Sequence, residues 1–339
     1  MMADAAGARA QTVVQLHPTL ACNLTCAHCY SSSSPHERGG TDPAALERAL
    51  PELAAEGYRV VSVSGGEPFL YPHLQRVARA AHAAGMRVNL VTNGTVRVPS
   101  WVLDDPASLD VVAVSLDGTA SRHDELRRRA GAFDRALGTL RRLRAHGVRT
   151  AVVSCVTRAS LPDVPDLYEV CAAEGVDLLR LHPLARVGRG TELVDEPGGG
   201  LGLDAAQLLR LRVVAEMLST MGGPVVVADA PLAGELRALA RDAAARRAGS
   251  DRAALADTVN PLVVREDGAV LPFAYGLPVS CSLGTLESFT AGSEAHRRGR
   301  AAAELLERAV AALPEDDGAC LDWEAHLVRC ASSVGVGGR

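Results

Sequence analysis

The chain has 339 residues, 47% of them hydrophobic, and a formal net charge of −5, which suits one large domain or a large one with a smaller companion. All of its basic residues are arginines, scattered along the chain; no nucleic-acid partner is expected, and a lysine Schiff base to pyridoxal phosphate is excluded. No apolar stretch is long enough to span a bilayer, and the opening Met-Met-Ala-Asp-Ala-Ala-Gly-Ala-Arg has no apolar signal-peptide core, so no membrane partner is expected and a cytoplasmic setting follows, where thiols stay reduced.

From residue 12 to about 184, strand-like and helix-like blocks alternate. Residues 12–16 read as a strand, then come a cysteine-bearing loop and a helical run over 43–56. A β-branched run over 59–64 leads into Gly65-Gly66-Glu67-Pro68. Helical spacing over 73–84 precedes a strand over 86–92 that ends at Asn93-Gly94. A strand over 110–116 ends at Asp117-Gly118 and is followed by a helix over 132–145. Strand 149–156, helix 163–174 and strand 177–181 complete the series. Six such repeats predict a parallel sheet with right-handed crossovers. A doubly wound sheet gives the same alternation as a barrel, and in both the site lies at the carboxyl ends of the strands. The cysteine loop, residues 65–68, Asn93, Ser115 and Asp117 all fall there.

After Leu184 the pattern changes. Residues 188–202 are Gly-rich and acidic, a linker or mobile loop. Helical stretches follow over 204–218 and 233–247. Two apolar runs flank Glu266-Asp267-Gly268, at 262–264 and 270–273, and predict a hairpin. A helix over 295–313 and a short segment with Cys320 and Cys330 close the chain.

The chemistry concentrates in Leu-Ala-Cys22-Asn-Leu-Thr-Cys26-Ala-His28-Cys29-Tyr. Three thiolates can hold three irons of a cubane [4Fe–4S] cluster and leave the fourth iron to a non-protein ligand. The next cysteine, Cys155, lies far downstream. The alternatives are a Cys3His zinc site completed by His28 or His36, for which only Cys26 and Cys29 have the knuckle spacing, and disulfides, which would leave one thiol odd.

With Gly65-Gly66-Glu67-Pro68 about forty residues further on, this spacing resembles the radical S-adenosylmethionine (SAM) superfamily. The resemblance implies an α/β fold, a partial (β/α)6 TIM-like barrel over residues 12–190, preceded by a disordered tail at 1–11. A linker with helices at 191–260 and a smaller α+β extension at 261–339 would follow. It implies that Cys22, Cys26 and Cys29 bind the cluster, whose open iron chelates SAM. An electron from an external one-electron reductant, delivered through the cluster, then splits SAM into methionine and a 5′-deoxyadenosyl radical. Carried over residue by residue, Gly65, Gly66 and Glu67 would hold the SAM amino group and His28 would lie near the adenine. Asn93, Ser115 and Asp117 would meet the ribose or methionyl part, and Arg127 the carboxylate. Ser154 and Leu181 would be ribose and adenine contacts. Plainer roles stand beside these: a strand-ending turn for Gly65 and Gly66, a solvated loop for His28, turn formation for Asn93 and Asp117, and a solvated helix start for Arg127-Arg128-Arg129.

The segment from Pro261 to Phe273, with Ser282-Leu-Gly-Thr-Leu after it, resembles SPASM or twitch extensions, which hold auxiliary Fe–S clusters. Phe273 stands where a cluster cysteine usually follows the proline, and only Cys281, Cys320 and Cys330 remain. That count excludes two auxiliary clusters and leaves room for one with three ligands; a cluster-free, degenerate extension is preferred. Cys281 could instead donate a hydrogen atom to a substrate radical. Cys155 and Cys171 read as packed small hydrophobes. The implied activity is hydrogen abstraction from a ribosomally made peptide in natural-product maturation. A separate peptide-recognition protein would assist, since little chain precedes residue 12. The alternatives are an epimerase or dehydrogenase of aminoglycoside or sugar antibiotic intermediates, and a non-catalytic Fe–S protein with a degenerate site.

Overall fold

The computed structural model describes residues 11–195, 200–248, 254–289 and 293–332; all but the last residue of the expected tail lies outside them. Among these residues the strands are β1 (Val13–Leu16), β2 (Val60–Val63), β3 (Arg87–Thr92), β4 (Val111–Ser115), β5 (Thr150–Val156), β6 (Leu178–Pro183), β7 (Val225–Ala228), β8 (Leu262–Val264) and β9 (Val270–Pro272). The helices are α1 (Pro43–Ala55), α2 (Leu74–Ala83), α3 (Ser100–Asp104), α4 (Ala120–Leu126), α5 (Ala132–Ala145), α6 (Val164–Ala173), α7 (Gly190–Val194), α8 (Ala205–Ser219), α9 (Ala233–Ala248), α10 (Ser293–Ala311) and α11 (Trp323–Ser332). None of them is long and apolar enough to cross a membrane.

Local chemistry sets the helix starts. Asp42 caps α1 by accepting from the Ala44 N–H, with Pro43 in the first turn. Asp204 and Gln207 form a reciprocal capping box at α8.

One sheet holds all the strands, in the order β7-β6-β5-β4-β3-β2-β1-β8-β9. Strands β1 to β6 lie side by side in chain order, each parallel to the next. A doubly wound sheet reverses direction at a switch point; this one winds a single way, as a barrel does, and the doubly wound alternative is excluded. The β8–β9 hairpin expected from Asp267-Gly268 is present. It is built onto the other side of β1, with β8 parallel to it and Val14 opposite Leu262. Asn260 stitches this junction, accepting from the Val13 N–H and donating to the Gln11 carbonyl. Strand β7 was not expected and extends the sheet beyond β6.

The register divides the sheet into two faces, because directly opposed residues of parallel strands point the same way. Val14, Val61, Val88, Val112, Val152 and Leu179 share one face with Leu16, Val63, Leu90, Val114 and Leu181. All are nearly or wholly buried in one core with Leu50, Leu53, Val77, Leu140, Leu143 and Leu167 of the helices. Each such leucine contributes about 1.5–3 kcal/mol on burial. The other face carries Gln15, Ser62, Asn89, Ser115, Val153, Cys155, Arg180 and His182, mostly only half-buried. This is the lumen.

Candidate active site

The cysteine loop follows β1 and lies at the carboxyl rim. Cys22, Leu24 and Cys26 form a small buried cluster with Cys29 against it, and no disulfide joins the thiols. Burial pushes the Cys22 thiol up to about 12 and raises Cys26 as well. Among the described residues, no three His, Cys, Asp or Glu side chains converge to hold a single metal ion.

The Gly-Gly-Glu segment holds this loop. The Gly66 N–H donates to Thr19 O at 2.8 Å and the Glu67 N–H to Ala21 O at 2.9 Å. A Cβ on Gly66 would lie 2.3 Å from Ala21 O, and Gly65 has φ +100° with Thr19 O 2.9 Å from its own would-be Cβ. Glycine is therefore required here by close chain approach. Glu67 is fully buried, and its carboxylate accepts from Thr92 Oγ1 (2.8 Å), the Asn93 N–H (2.9 Å) and the Phe69 N–H (3.2 Å). Burial pushes its carboxyl up to about 7 against the pull of these bonds. With its side chain so committed, Glu67 braces the end of β3.

Asn93, held at the end of β3, donates to Asn23 Oδ1 at 2.9 Å and approaches Cys22 Sγ at 3.7 Å. Its own oxygen accepts from the Thr95 N–H at 2.8 Å. It thus forms the turn and touches the cysteine loop. Ser115 ends β4 on the lumen face, and its hydroxyl has no partner among the described residues.

Next to it, Asp117 and Arg127 are both buried, with Arg127 Nε 2.7 Å from Asp117 Oδ2. Burial works against the charge on each. Even so, Arg127, His28 and His123 hold the Asp117 carboxyl well below the carboxylate range, and Asp117 keeps Arg127 firmly protonated. Arg127 is therefore no solvated helix start, although Arg128 and Arg129 are exposed. Its two Nη groups make no hydrogen bond among the described residues. His28 is largely buried, with Nε2 3.8 Å from Asp117 Oδ2 and Nδ1 unpartnered. His123, fully buried, accepts from the Asp117 N–H through Nδ1. Burial lowers both imidazoles to about 4.

Two expectations need correction. Ser154 and Leu181 oppose each other on the helix-facing side, and both are buried away from the lumen. The residues of β5 and β6 that face the lumen are Val153, Cys155, Arg180 and His182, so Cys155 is a rim residue rather than core filler. Likewise, residues 188–190 are not a linker. Gly188, at φ +58°, lies against the Cys29 and Tyr30 carbonyls. Arg189 donates to Cys26 O at 2.8 Å and Ser33 O at 2.9 Å, and its N–H to Cys29 O at 3.0 Å. The rest of the expected linker includes 196–199, outside the described residues. Sequence reasoning missed Arg189; the only signal was a Gly-Arg-Gly five residues after the end of β6.

The other cysteines lie apart. Cys171 is core filler on α6. Cys320 donates its thiol to Ala230 O within a separate small cluster, and Cys281 and Cys330 pack against the main core. Phe273 is buried with φ +64°, its N–H donating to Pro261 O.

The fold is thus a singly wound, open barrel with a three-thiol loop at its carboxyl rim. The Radical SAM superfamily model matches residues 16–176, and this stretch is a radical SAM domain. The chain is similar to Fe-coproporphyrin III synthase of Methanosarcina barkeri, 32% identical over 187 residues, covering 54% of this chain and 47% of that protein. It is also similar to the sporulation killing factor maturation protein SkfB of Bacillus subtilis, 29% identical over 182 residues, covering 52% and 43%. The chain thus spans about half the length of the curated relatives it matches. In fold it resembles Streptococcus suis SuiB bound to S-adenosylmethionine, with TM-score 0.60, 17% identity and coverage of 78% and 60%. It also resembles anSMEcpe with bound AdoMet, with TM-score 0.63, 17% identity and coverage of 97% and 99%.

Proposed function

We propose that the chain is a radical SAM enzyme that binds one [4Fe–4S] cluster through Cys22, Cys26 and Cys29 and abstracts hydrogen from a peptide in natural-product maturation, in the cytoplasm. The observation that carries this reading is the convergence of three unbridged thiols, Asn93, Ser115 and the free edge of Arg127 on one rim. The residues fit the cofactors: three thiols suit a cubane with one open iron, and the unpaired Nη groups of Arg127 form a fork suited to a carboxylate. When bound, cluster and SAM supply a 5′-deoxyadenosyl radical from one electron of an external reductant. The chain's own part is positional. Glu67 fixes Asn93, Asp117 aims Arg127, Arg189 and Gly66 hold the cysteine loop, and the lumen face of β5 and β6 receives the substrate.

A peptide substrate is supported by a relative named as a maturation protein, SkfB, and by the likeness to SuiB, whose structure is also solved with a precursor peptide bound; a separate peptide-recognition protein would be the partner. A small-molecule substrate is the second reading, favoured by the relatives named for haem and coproporphyrin synthesis; it points to a tetrapyrrole rather than a sugar. The Phe273 substitution and the separated Cys281, Cys320 and Cys330 support an extension without an auxiliary cluster.

The test is anaerobic reconstitution, iron counting and assay of 5′-deoxyadenosine. Replacing all three loop cysteines with alanine removes about four irons per chain and abolishes 5′-deoxyadenosine. Unchanged iron would sink the assignment, and more than about two irons left in the triple variant would revive an auxiliary cluster. Stimulation of 5′-deoxyadenosine by a coproporphyrin would favour the second reading.

A further inference from the structure

We propose that His182 is a proton acceptor facing the lumen, held in one tautomer by Asp229, and that it takes the proton of a substrate hydroxyl or ammonium group. This rests on the reading of the lumen as the substrate site. His182 lies directly beside Cys155 of β5, on the face that opens to the lumen. Its side chain is 44% exposed, whereas Leu181 next to it is wholly buried on the other face. Asp229 continues β7 by one residue, its N–H donating to Leu181 O at 2.9 Å, which brings its carboxylate alongside His182.

Three side chains then form a chain of contacts. Arg180 grips Asp229 with two bonds, Nε to Oδ2 at 3.1 Å and Nη2 to Oδ1 at 2.6 Å. The same Oδ2 meets Nδ1 of His182. Burial alone would raise the Asp229 carboxyl, yet His182 and Arg180 hold it well below the carboxylate range. An ionised carboxylate only accepts, so Nδ1 of His182 carries the hydrogen. In the neutral imidazole this tautomer leaves Nε2 with its lone pair, and Nε2 has no partner among the described residues. An aspartate fixing an imidazole this way also stabilises the imidazolium that forms on proton uptake. The charged and titratable groups around the pair are Arg180 on β6, Cys155 on β5, and Glu324 in the first turn of α11, which itself lies near Asp322.

The step balances without an oxidant. The substrate X–H bond breaks heterolytically, the electron pair stays on X, and the proton moves to Nε2. His182 is the group that touches substrate; Asp229 and Arg180 are positioning residues.

The test uses the full-length protein, with and without reconstituted iron and sulfide, labelled with 15N-histidine. His182→Gln identifies the His182 signals. The expected result is a single Nδ1–H tautomer at neutral pH, and acylation of His182 by diethyl pyrocarbonate located by mass spectrometry. Asp229→Asn should replace the single tautomer by a mixture, and Asp229→Glu should restore it at least in part. An Nε2–H tautomer in the wild type overturns the inference, as does a His182 left unmodified under conditions that acylate the exposed His36. Wild-type 5′-deoxyadenosine formation is read on the same preparation. Its absence overturns the functional reading of the site, whereas a wrong tautomer with 5′-deoxyadenosine present overturns this inference alone.

Discussion

Asp117 holds Arg127 with one carboxylate oxygen and the backbone of Cys155 with the other, at 2.7 and 2.9 Å. One side chain thus joins α4's end to β5 beneath the cysteine loop. Removing a partner from a buried ion pair leaves an uncompensated charge, so Asp117→Ala should destabilise the protein by about 3–5 kcal/mol. Urea denaturation of the metal-free protein measures this. A loss below about 1 kcal/mol would mean the pair is solvent-screened like a surface bridge.

Arg127→Ala removes the fork rather than its support. It should weaken SAM binding by about 1.5–3 kcal/mol, the worth of a charged hydrogen bond. Equilibrium dialysis of the cluster-loaded protein reads the effect; unaltered affinity would confine Arg127 to a structural role.

Gly66→Ala places a methyl group where the Ala21 carbonyl lies. The cysteine loop must shift, at a cost of about 1–3 kcal/mol as for other overpacked sites. Iron loading should fall well below the wild-type level while far-ultraviolet circular dichroism stays unchanged. Full loading would show that the loop tolerates the displacement.

His123 gives a pH signature. Its folded-state value, about 4, lies below the ordinary 6.5. As pH falls from 6.5 towards 4, the unfolded chain takes up a proton that the native one refuses, so stability drops with acidification and is fully present above 6.5. For this residue the full loss is about 3 kcal/mol. His123→Asn should flatten the slope between pH 6.5 and 4.5 relative to wild type, as read by denaturant unfolding; parallel slopes would refute the assignment.

The barrel strands were legible because β-branched runs end in turn dipeptides such as Asn93-Gly94, and α5 matches its helical spacing residue for residue. The pairing of β8 with β1 was not, since no local pattern encodes contact between residues 14 and 262. Strand β7 had a signal in Val225-Val226-Val227 after Gly-Gly-Pro, passed over between two helices. Ser154 and Leu181 failed on parity: a shift of one residue turns a strand's side chains to the other face. The alternation Arg180-Leu181-His182 already marked the polar positions as the lumen side. Burial of Arg127 rather than its neighbours depends on where α4 ends, which a run of three arginines does not reveal.

Gly188 and Arg189 grip a loop formed some 160 residues earlier in the chain. A ribosome making this protein therefore releases the cysteine segment long before its clasp exists. The three thiols acquire their final setting only after β6 has emerged and docked. On the proposed reading, cofactor loading would wait for a nearly finished barrel, and a fragment ending before residue 188 would keep all three cysteines yet lack the arginine that fastens them.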